Sequence, residues 1–431
     1  MAHRVETRRA GRIRSVVHSP SIIALSRVLV MVQTIFVAPV VFRHLGPSGR
    51  GEYAACIAIT TLIPVVVGLG IPLAIRYRAS IDHSDRIVRA SYVILPFLAP
   101  AALILGLISV WTIVDYLSST TTMIFLGGAT ATTLFVGTLC FQSVLIADQR
   151  YGAVALLQAV QVSTSTIGVL VGGVTHQLSL DWLLLWAFAG TIASFFVGAA
   201  QVGVSPLGPR TDPIALTREG VTYAGGQIAD VASLTVIQVL AVKAIGASNA
   251  GYYAVAAQVA GLVVIAGYTI GVAAFKTIAS ASDEVRPQKI SSVIRSTILF
   301  GGLASTVLAL TAPVLIPLMF GTESSPAVLP TLVSLIGATC MTLNYVCAQL
   351  LVATGKGGLM TLAQLTGIIA STLMLFALGK FGAIGASAAV SAGAALTTIV
   401  SLCGLRVKIS QIAPRTADIR DAMGLAIRGK L

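Results

Sequence analysis

The chain has 431 residues, of which 56% are hydrophobic and only 10% are charged. Soluble domains carry about 25% charged residues, so this composition excludes an ordinary soluble protein and predicts an integral membrane protein. The formal net charge is +13, but the basic residues are dispersed over many connectors, as membrane insertion alone predicts, so we expect no nucleic-acid partner.

Hydrophobic runs long enough to cross a bilayer recur along the whole chain. A helix needs about 20 apolar residues to cross roughly 30 Å of hydrocarbon. Twelve runs meet this requirement, and they predict an all-α integral membrane fold without a separate soluble domain. The predicted spans are 20–41, 53–75, 90–111, 122–146, 151–173, 182–201, 221–243, 252–275, 292–319, 327–352, 358–378 and 383–405.

The basic residues predict which side of the membrane each connector faces. Most of the 28 Lys and Arg residues lie in the two tails and in every second connector, whereas Arg43, Arg50, Lys243 and Lys380 lie on the opposite face. Basic connectors stay in the cytoplasm, so we expect a plasma (inner) membrane protein with both termini cytoplasmic. In chain order we expect a basic tail, a lobe of six helices, a linker, a second six-helix lobe and a second basic tail, at 1–19, 20–205, 206–220, 221–405 and 406–431.

A short motif recurs two hundred positions apart, in the turn after the first helix of each lobe. The first lobe reads HLGPSGRGEYAA where the second reads AIGASNAGYYAV. Gly46 and Gly51, like Gly246 and Gly251, can supply positive φ and a close approach of two backbones. Because six is even, the lobes enter the membrane with the same orientation, as parallel repeats do in transporters whose lobes move around a central site.

Four stretches of the chain resemble one family of transporters. VFRHLGPSGRGEYAACIAI, GLGIPLAIRYRAS, LIPLMFGTESSPAVLPTL and GKFGAIGASAAV are similar to segments of polysaccharide-biosynthesis flippases of the multidrug/oligosaccharidyl-lipid/polysaccharide exporter superfamily. The resemblance covers essentially the whole chain. It implies two six-helix lobes around a central cavity lined by the first, second, seventh and eighth helices. It also implies outward transport of an undecaprenyl-diphosphate-linked oligosaccharide, in contact with membrane lipid and with glycosyltransferases or a polymerase of the same pathway.

Two charged residues lie inside predicted spans. Arg27 is in the first helix and Asp230 in the seventh. An intramembrane charge faces protein or a water-filled cavity rather than lipid. Two interpretations are open: the two side chains pair with each other, or Arg27 contacts a substrate anion while Asp230 binds the coupling ion.

Three basic residues lie at the ends of the second and eighth predicted helices, on the predicted cytoplasmic side. Arg76, Arg78 and Lys276 form a candidate entrance for a diphosphate, because an arginine fork binds two phosphate oxygens at once. The alternative is that they only fix topology and extend toward the headgroups.

Basic residues on the predicted outer face are candidates for an outer gate or for glycan contacts. Arg43 and Lys243 lie where positive charge is disfavoured, which makes them exceptions to the topology rule. Arg50 lies on the same predicted outer face. The alternative interpretation for Arg50 is a surface ion pair with Glu52.

The energy source is expected to be an ion gradient, of H⁺ or Na⁺, with no bound cofactor. The stretch ATGKGG lacks the first glycine and the hydroxyl residue of a phosphate-binding P-loop, and the Cys and His residues show no metal-ligand spacing. Asp230 is the ion-coupling candidate, and Gly225, Gly226 and Pro39 are hinge candidates because they weaken helix hydrogen bonding.

Two other functions compete with the flippase. A multidrug exporter of the same superfamily would need buried acids for cationic substrates, and only Asp230 meets that description. A membrane glycan polymerase or glycosyltransferase would need acid/base or metal-binding residues on a sizeable outer loop, and the predicted outer connectors are short. We therefore expect a transporter and not an enzyme.

Overall fold

The computed structural model of the protein describes residues 21–79, 81, 84–279, 282 and 284–407. Side chains are described for these residues except 21–32, 34, 84, 234, 266, 268, 269, 272, 273, 275–277 and 279. Both predicted basic tails therefore lie almost entirely outside the described residues.

The described residues form α-helices and no strand. In chain order the helices are α1 Ser21–Val67, α2 Ile71–Ala79, α3 Ser84–Thr112, α4 Ser119–Ala147, α5 Tyr151–Val174, α6 Leu180–Val202, α7 Pro213–Ile245, α8 Ala247–Ala279, α9 Arg286–Phe320, α10 Val328–Ala353, α11 Gly357–Leu378 and α12 Gly382–Gly404. Short 3₁₀ turns at Thr322–Ala327 and Gly379–Phe381 precede α10 and α12. The predicted all-α membrane fold is confirmed.

Twelve membrane crossings are consistent with the described helices. Nine segments pass a length and hydropathy test for spanning, and two of these, Ile35–Val67 and Gly357–Gly404, each contain two helices. One bent helix, formed by Pro213–Ser233 and Thr235–Ile245 at an angle of 47°, passes as a further span.

The first two predicted spans are joined differently from the prediction. Helix α1 runs through both, with one non-helical residue at Gly46 (φ 68°, ψ −176°). The second predicted span, 53–75, is then broken after Val67, where Leu69 and Gly70 have φ of 43° and 70°. A left-handed residue cannot continue a right-handed helix, so α2 starts as a separate short helix.

The seventh helix begins earlier than the predicted residue 221. Its start is set by Asp212, whose carboxylate accepts a hydrogen bond from the backbone N–H of Ile214 (2.9 Å), with Pro213 as first helical residue. Aspartate caps helix N-termini, and proline fits the first position because its missing N–H is not needed there. Most of the predicted linker 206–220 is therefore helical.

The chain forms two compact units. The first contains residues up to Leu45 and Cys56–Ile228, and the second contains Gly46–Ala55 and Ala229–Leu431. In the first, the buried ring of Phe141 lies 5.6 Å from that of Tyr92 and 5.3 Å from that of Phe195, centroid to centroid. In the second, Ile278, Ile294 and Leu350 are fully buried in one cluster.

In each predicted lobe, a basic side chain binds a backbone carbonyl at the C-terminal end of the last helix. The guanidinium of Arg150 donates to the carbonyl oxygen of Gln201 (2.8 Å), near the end of α6. The ammonium of Lys356 donates to the carbonyl oxygen of Gly404 (2.8 Å), at the end of α12. Both satisfy carbonyl groups that a helix end leaves unpaired, and their charge opposes the helix dipole. The repeat seen in the turn motif thus extends to the ends of the lobes.

Candidate functional site

A small polar cavity lies inside the second unit, among α7, α8, α10, α11 and α12. Its polar lining includes Asp230, Asn344, Gln364, Ser371 and Thr397. The cavity measures about 40 Å³. A bound water needs at least about 10–15 Å³ of such space, so the cavity accommodates an ion or a few waters and is too small for a sugar.

Close helix packing brings these polar groups together. A Cβ on Gly367 of α11 would collide with the hydroxyl oxygen of Thr397 on α12, and a Cβ on Gly393 would lie 2.7 Å from the carbonyl oxygen of Gly367. Small residues let membrane helices approach backbone to backbone. The two glycines therefore allow Thr397 to lie against α11 at the cavity wall.

Asp230 supplies the carboxylate of the cavity. Its side-chain oxygen accepts a hydrogen bond from the amide nitrogen of Gln364 (3.4 Å). One turn further on, the hydroxyl of Ser233 donates to the backbone carbonyl of Asp230 (2.7 Å). The α7 bend between Ser233 and Thr235 directly follows this acidic turn.

Gln364 leaves one strong acceptor unsatisfied. The residue is 3% exposed, and its amide oxygen is buried without a hydrogen-bond partner. An unpaired buried polar group costs roughly 1–3 kcal/mol. A ligand that offers positive charge or a donor at this point would remove that penalty.

The hydroxyl groups on the walls also present oxygen lone pairs. Ser371 and Thr397 donate to carbonyl oxygens of their own helices, at 2.7 Å and 2.9 Å. Since those hydrogens are engaged, the oxygens can act only as acceptors toward the cavity. A carboxylate, an unpaired amide oxygen and two hydroxyl oxygens form a donor set that suits a hard cation, either Na⁺ or a proton carried on the carboxylate.

The predicted basic residues lie elsewhere. Arg43, Arg76 and Lys243 are exposed, near the Gly46 turn, on α2 and in the last turn of α7. Arg78 forms an ion pair with Glu219 of α7, at 2.5 Å between Nε and Oε2, with both side chains partly buried. The side chains of Arg27 and Lys276 lie outside those described, so their substrate contacts stay predictions.

The predicted hinge residues occupy regular helix. Gly225 is exposed and Gly226 is half-buried on α7, and both precede the observed bend. Pro39 is buried within α1. Their role as hinges remains a prediction.

Comparison with solved structures identifies the architecture. The fold is similar to that of the lipid II flippase MurJ in an inward closed conformation, with a TM-score of 0.71 and 12% identity over 93% of this chain and 90% of that chain. It is also similar to a multidrug resistance transporter of the MATE family of the MOP superfamily. The inward-facing form has a TM-score of 0.63 and 13% identity, over 90% of this chain and 98% of that chain. The outward-facing form has a TM-score of 0.59 and 14% identity, over 92% of this chain and 95% of that chain.

This chain has the fold of MurJ and of the MATE transporters. No protein-family model matches the sequence, and no curated protein sequence does. The similarity rests on three-dimensional structure, and it extends over nearly the full length of the chain.

Asp230 was predicted from the sequence as a site residue, but its neighbours in the cavity were not. Gln364 is the single amide side chain of α11, and Asn344 is one of two in α10. Amide side chains inside membrane helices usually bind across to another helix, so their presence was a usable signal. Glu219 was also missed, because its partner Arg78 lies 141 residues away in sequence.

Proposed function

We propose that this protein is a flippase that moves an undecaprenyl-diphosphate-linked oligosaccharide from the cytoplasmic to the outer leaflet of the plasma membrane. The observation that carries the proposal is the fold similarity to a lipid II flippase over 93% of the chain. The four resembling stretches support a glycan as the cargo. Both termini lie in the cytoplasm in this proposal, since most basic connectors share one face.

Transport is driven by a cation that binds in the Asp230 cavity. The cation neutralises the carboxylate and satisfies the amide oxygen of Gln364, which is otherwise buried without a partner. Only a ligand with different affinity for two conformations can shift their equilibrium. The bend that follows Asp230 in α7 is the element through which occupancy of the cavity acts on the rest of that helix.

Basic residues recognise the diphosphate of the cargo. Arg76 is exposed at the end of α2 and presents a fork that matches phosphate oxygens. The guanidinium of Arg78 forms an ion pair with Glu219 in this structure. That ion pair must break before Arg78 binds an anion. Lys276 completes the proposed cytoplasmic set, Arg27 contacts the diphosphate from within the first helix, and Arg43 and Lys243 form the outer set.

A multidrug exporter is the second candidate, because the MATE transporters share the fold. Export of organic cations requires carboxylates that face the drug. Asp230 is the one acid that the sequence places well inside a span, whereas the candidate substrate contacts are basic residues, which suit the anionic diphosphate of a glycolipid. The flippase is therefore favoured.

Reconstitution distinguishes the two functions. Purified protein in liposomes is given either a polyprenyl-diphosphate-linked oligosaccharide, followed with an enzyme that reaches only one leaflet, or a fluorescent organic cation. We expect gradient-driven movement of the glycolipid only, slowed about tenfold or more in Asp230→Asn, which corresponds to 1.4 kcal/mol. Asp85→Asn, which changes an exposed carboxylate on α3, is the matched control and should transport normally. Movement of the dye alone would establish the exporter instead.

A further inference from the structure

Asn344 of α10 lines the polar cavity, but the proposed function gives it no role. Its amide oxygen accepts a hydrogen bond from the hydroxyl of Ser401 on α12 (3.2 Å). An amide side chain has an acceptor oxygen and a nitrogen that carries two donor hydrogens. Because Ser401 engages the oxygen, the part of the Asn344 amide left for the cavity is the donor nitrogen.

The two amide side chains of the cavity are therefore oriented in opposite ways. Gln364 directs its nitrogen to Asp230 and leaves its oxygen without a partner. Asn344 directs its oxygen to Ser401 and leaves its nitrogen available. One amide attracts a cation, and the other repels it, since the hydrogens of an amide nitrogen carry partial positive charge.

Hydroxyl groups of α12 fix the position of Asn344. Thr398 donates to the carbonyl oxygen of Cys340 (2.8 Å), one turn before Asn344 on α10. Ser401 is only 1% exposed, so solvent water does not compete for its hydrogen bond to Asn344. Hydrogen bonds of this kind connect neighbouring helices in membranes. The amide of Asn344 is thus held in one orientation by two contacts between α10 and α12.

The empty cavity needs a hydrogen-bond donor of this kind. When no cation is bound, the carboxylate of Asp230 loses its compensating charge, and a buried charge is stabilised by donors that reach it. The cavity of about 40 Å³ has room for a few waters, and a bridging water is nearly as effective as a direct hydrogen bond. The nitrogen of Asn344 can therefore stabilise the carboxylate directly or through one water.

We infer that Asn344 replaces the cation as the partner of Asp230 when the cavity is empty, and that Ser401 is the positioning residue that keeps the Asn344 nitrogen on the cavity side. Asn344 then stabilises the empty state and repels the bound cation. Both effects lower the affinity, so that the cation can leave in each transport cycle. This inference rests on the proposed function, in which a cation binds at Asp230, and it takes that cation to be Na⁺, which an oxygen lining suits.

The inference makes the opposite prediction from that for a cation ligand. Loss of a ligand weakens cation binding, as we expect for Asp230→Asn and Gln364→Leu. Loss of a donor that competes with the cation strengthens binding. Asn344→Leu has a side chain of similar size without a donor, so it should lower the dissociation constant for Na⁺ about three- to tenfold, the range for one hydrogen bond of typical net strength.

Competition between radioactive and unlabelled Na⁺ for the purified protein in detergent measures this constant. Choline keeps the ionic strength constant, and an alkaline buffer minimises competition from protons for the carboxylate. Ser401→Ala should also strengthen binding, because the freed amide of Asn344 can turn its oxygen to the cation. Ser401→Thr keeps the hydroxyl and should keep the affinity of the parent protein.

Thr398→Val is the matched control. Thr398 lies beside Ser401 in sequence and donates to the carbonyl oxygens of Cys340 and Ala394, but it is not part of the cavity lining. This variant should lower the melting temperature and leave Na⁺ affinity unchanged. Weaker binding by folded Asn344→Leu would make Asn344 a direct ligand, and unchanged binding would make its role structural only. Either result would overturn the inference.

Glycolipid transport by the parent protein separates this inference from the proposed function. If the parent binds Na⁺ and both Asn344→Leu and Ser401→Ala bind it more tightly, but liposomes with the parent move no glycolipid, the flippase is refuted and the role of Asn344 stands. If the parent moves the glycolipid but binds no Na⁺, the role of Asn344 is refuted and the flippase stands.

Discussion

At the scale of single residues, the amide of Gln364 orients the candidate cation site. Its nitrogen donates to Asp230, which leaves its oxygen facing the cavity without a partner. The orientation follows from charge, since the amide oxygen would be repelled by an ionised carboxylate. A carboxylate and an uncharged carbonyl placed side by side form a site for a cation rather than for a neutral molecule.

Cation binding should stabilise the protein measurably. A ligand that binds only the folded state at a hundred times its dissociation constant adds about 2.7 kcal/mol. We expect the melting temperature in detergent to rise by several degrees with Na⁺ over choline, or with falling pH if the ion is a proton. Asp230→Asn and Gln364→Leu should lose the response, whereas Gln349→Leu, outside the cavity lining, should keep it. An undiminished response in both cavity variants would exclude this site.

The ion pair between Arg78 and Glu219 makes a second prediction. Both side chains are partly exposed, at 31% and 22%, so we expect a coupling free energy of about 1 kcal/mol or less. The exchange Arg78→Glu with Glu219→Arg should restore the melting temperature that each single change lowers, but not transport, because Arg78 also binds the diphosphate in the proposed function. Restored transport in the exchanged variant would show that Arg78 does not contact the substrate.

At the scale of elements, two of the three glycines of α7 lie in contrasting surroundings. A Cβ on Gly220 would lie 2.8 Å from the carbonyl oxygen of Leu69 and 2.9 Å from the backbone nitrogen of Ile71, whereas a Cβ on Gly225 meets nothing within 4 Å. The break between α1 and α2 therefore packs directly on the start of α7. Backbone atoms cannot rotate away from an added methyl group. The structure therefore disfavours a side chain at Gly220 and has space for one at Gly225.

Alanine substitutions at these two positions should differ sharply. Gly220→Ala should destabilise the protein by about 1–3 kcal/mol, the usual effect of overpacking. Gly225→Ala should be neutral or stabilising by up to about 1 kcal/mol, through better helix propensity. Melting temperatures measure both effects. If Gly225→Ala leaves stability intact but slows transport, Gly225 acts as the predicted hinge; equal destabilisation by both would contradict the packing described for α7.

Sequence periodicity predicted helices well and their junctions poorly. The length of a hydrophobic run identifies a membrane span because the thickness of the bilayer sets that length. Gly46 and Gly246 were also predicted to form turns with positive φ, as they do. The break at Leu69 was not predictable, since a positive φ at leucine is imposed by tertiary packing rather than by preference. The pairing of Arg78 with Glu219 and the orientation of Gln364 toward Asp230 depend on contacts between residues more than 100 positions apart, which one sequence does not specify.

At the scale of the whole molecule, the two halves of the chain resemble each other in local structure as well as in sequence. The paired turns at Gly46 and Gly246, and the cations Arg150 and Lys356 on the last helices, occupy equivalent places in the two halves. We expect parallel repeats to place both halves in the membrane with one orientation. The positive charge at these helix ends has a local structural role in addition to its predicted effect on topology.

Topology follows from this repeat and from the basic connectors. Reporter fusions after residues 46, 116, 177, 247, 323 and 380 should all report the outer side, and fusions in the alternate connectors should report the cytoplasm. The described helices place these positions at the Gly46 turn, at connections between helices or in their first turn. One outer position found in the cytoplasm with two kinds of reporter would break the twelve-span arrangement.

The most direct test of the account is the location of lipid-linked glycan in cells that lack the protein. Inner membranes are isolated as vesicles of known orientation, and the undecaprenyl-diphosphate-linked oligosaccharide of each leaflet is quantified with an enzyme that cannot cross the bilayer. We expect the glycolipid to accumulate in the cytoplasmic leaflet and the surface polysaccharide to be lost, with both defects reversed by the wild-type gene but not by the Asp230→Asn variant. A normal distribution between leaflets, with normal surface polysaccharide and no second transporter for the same lipid, would contradict it.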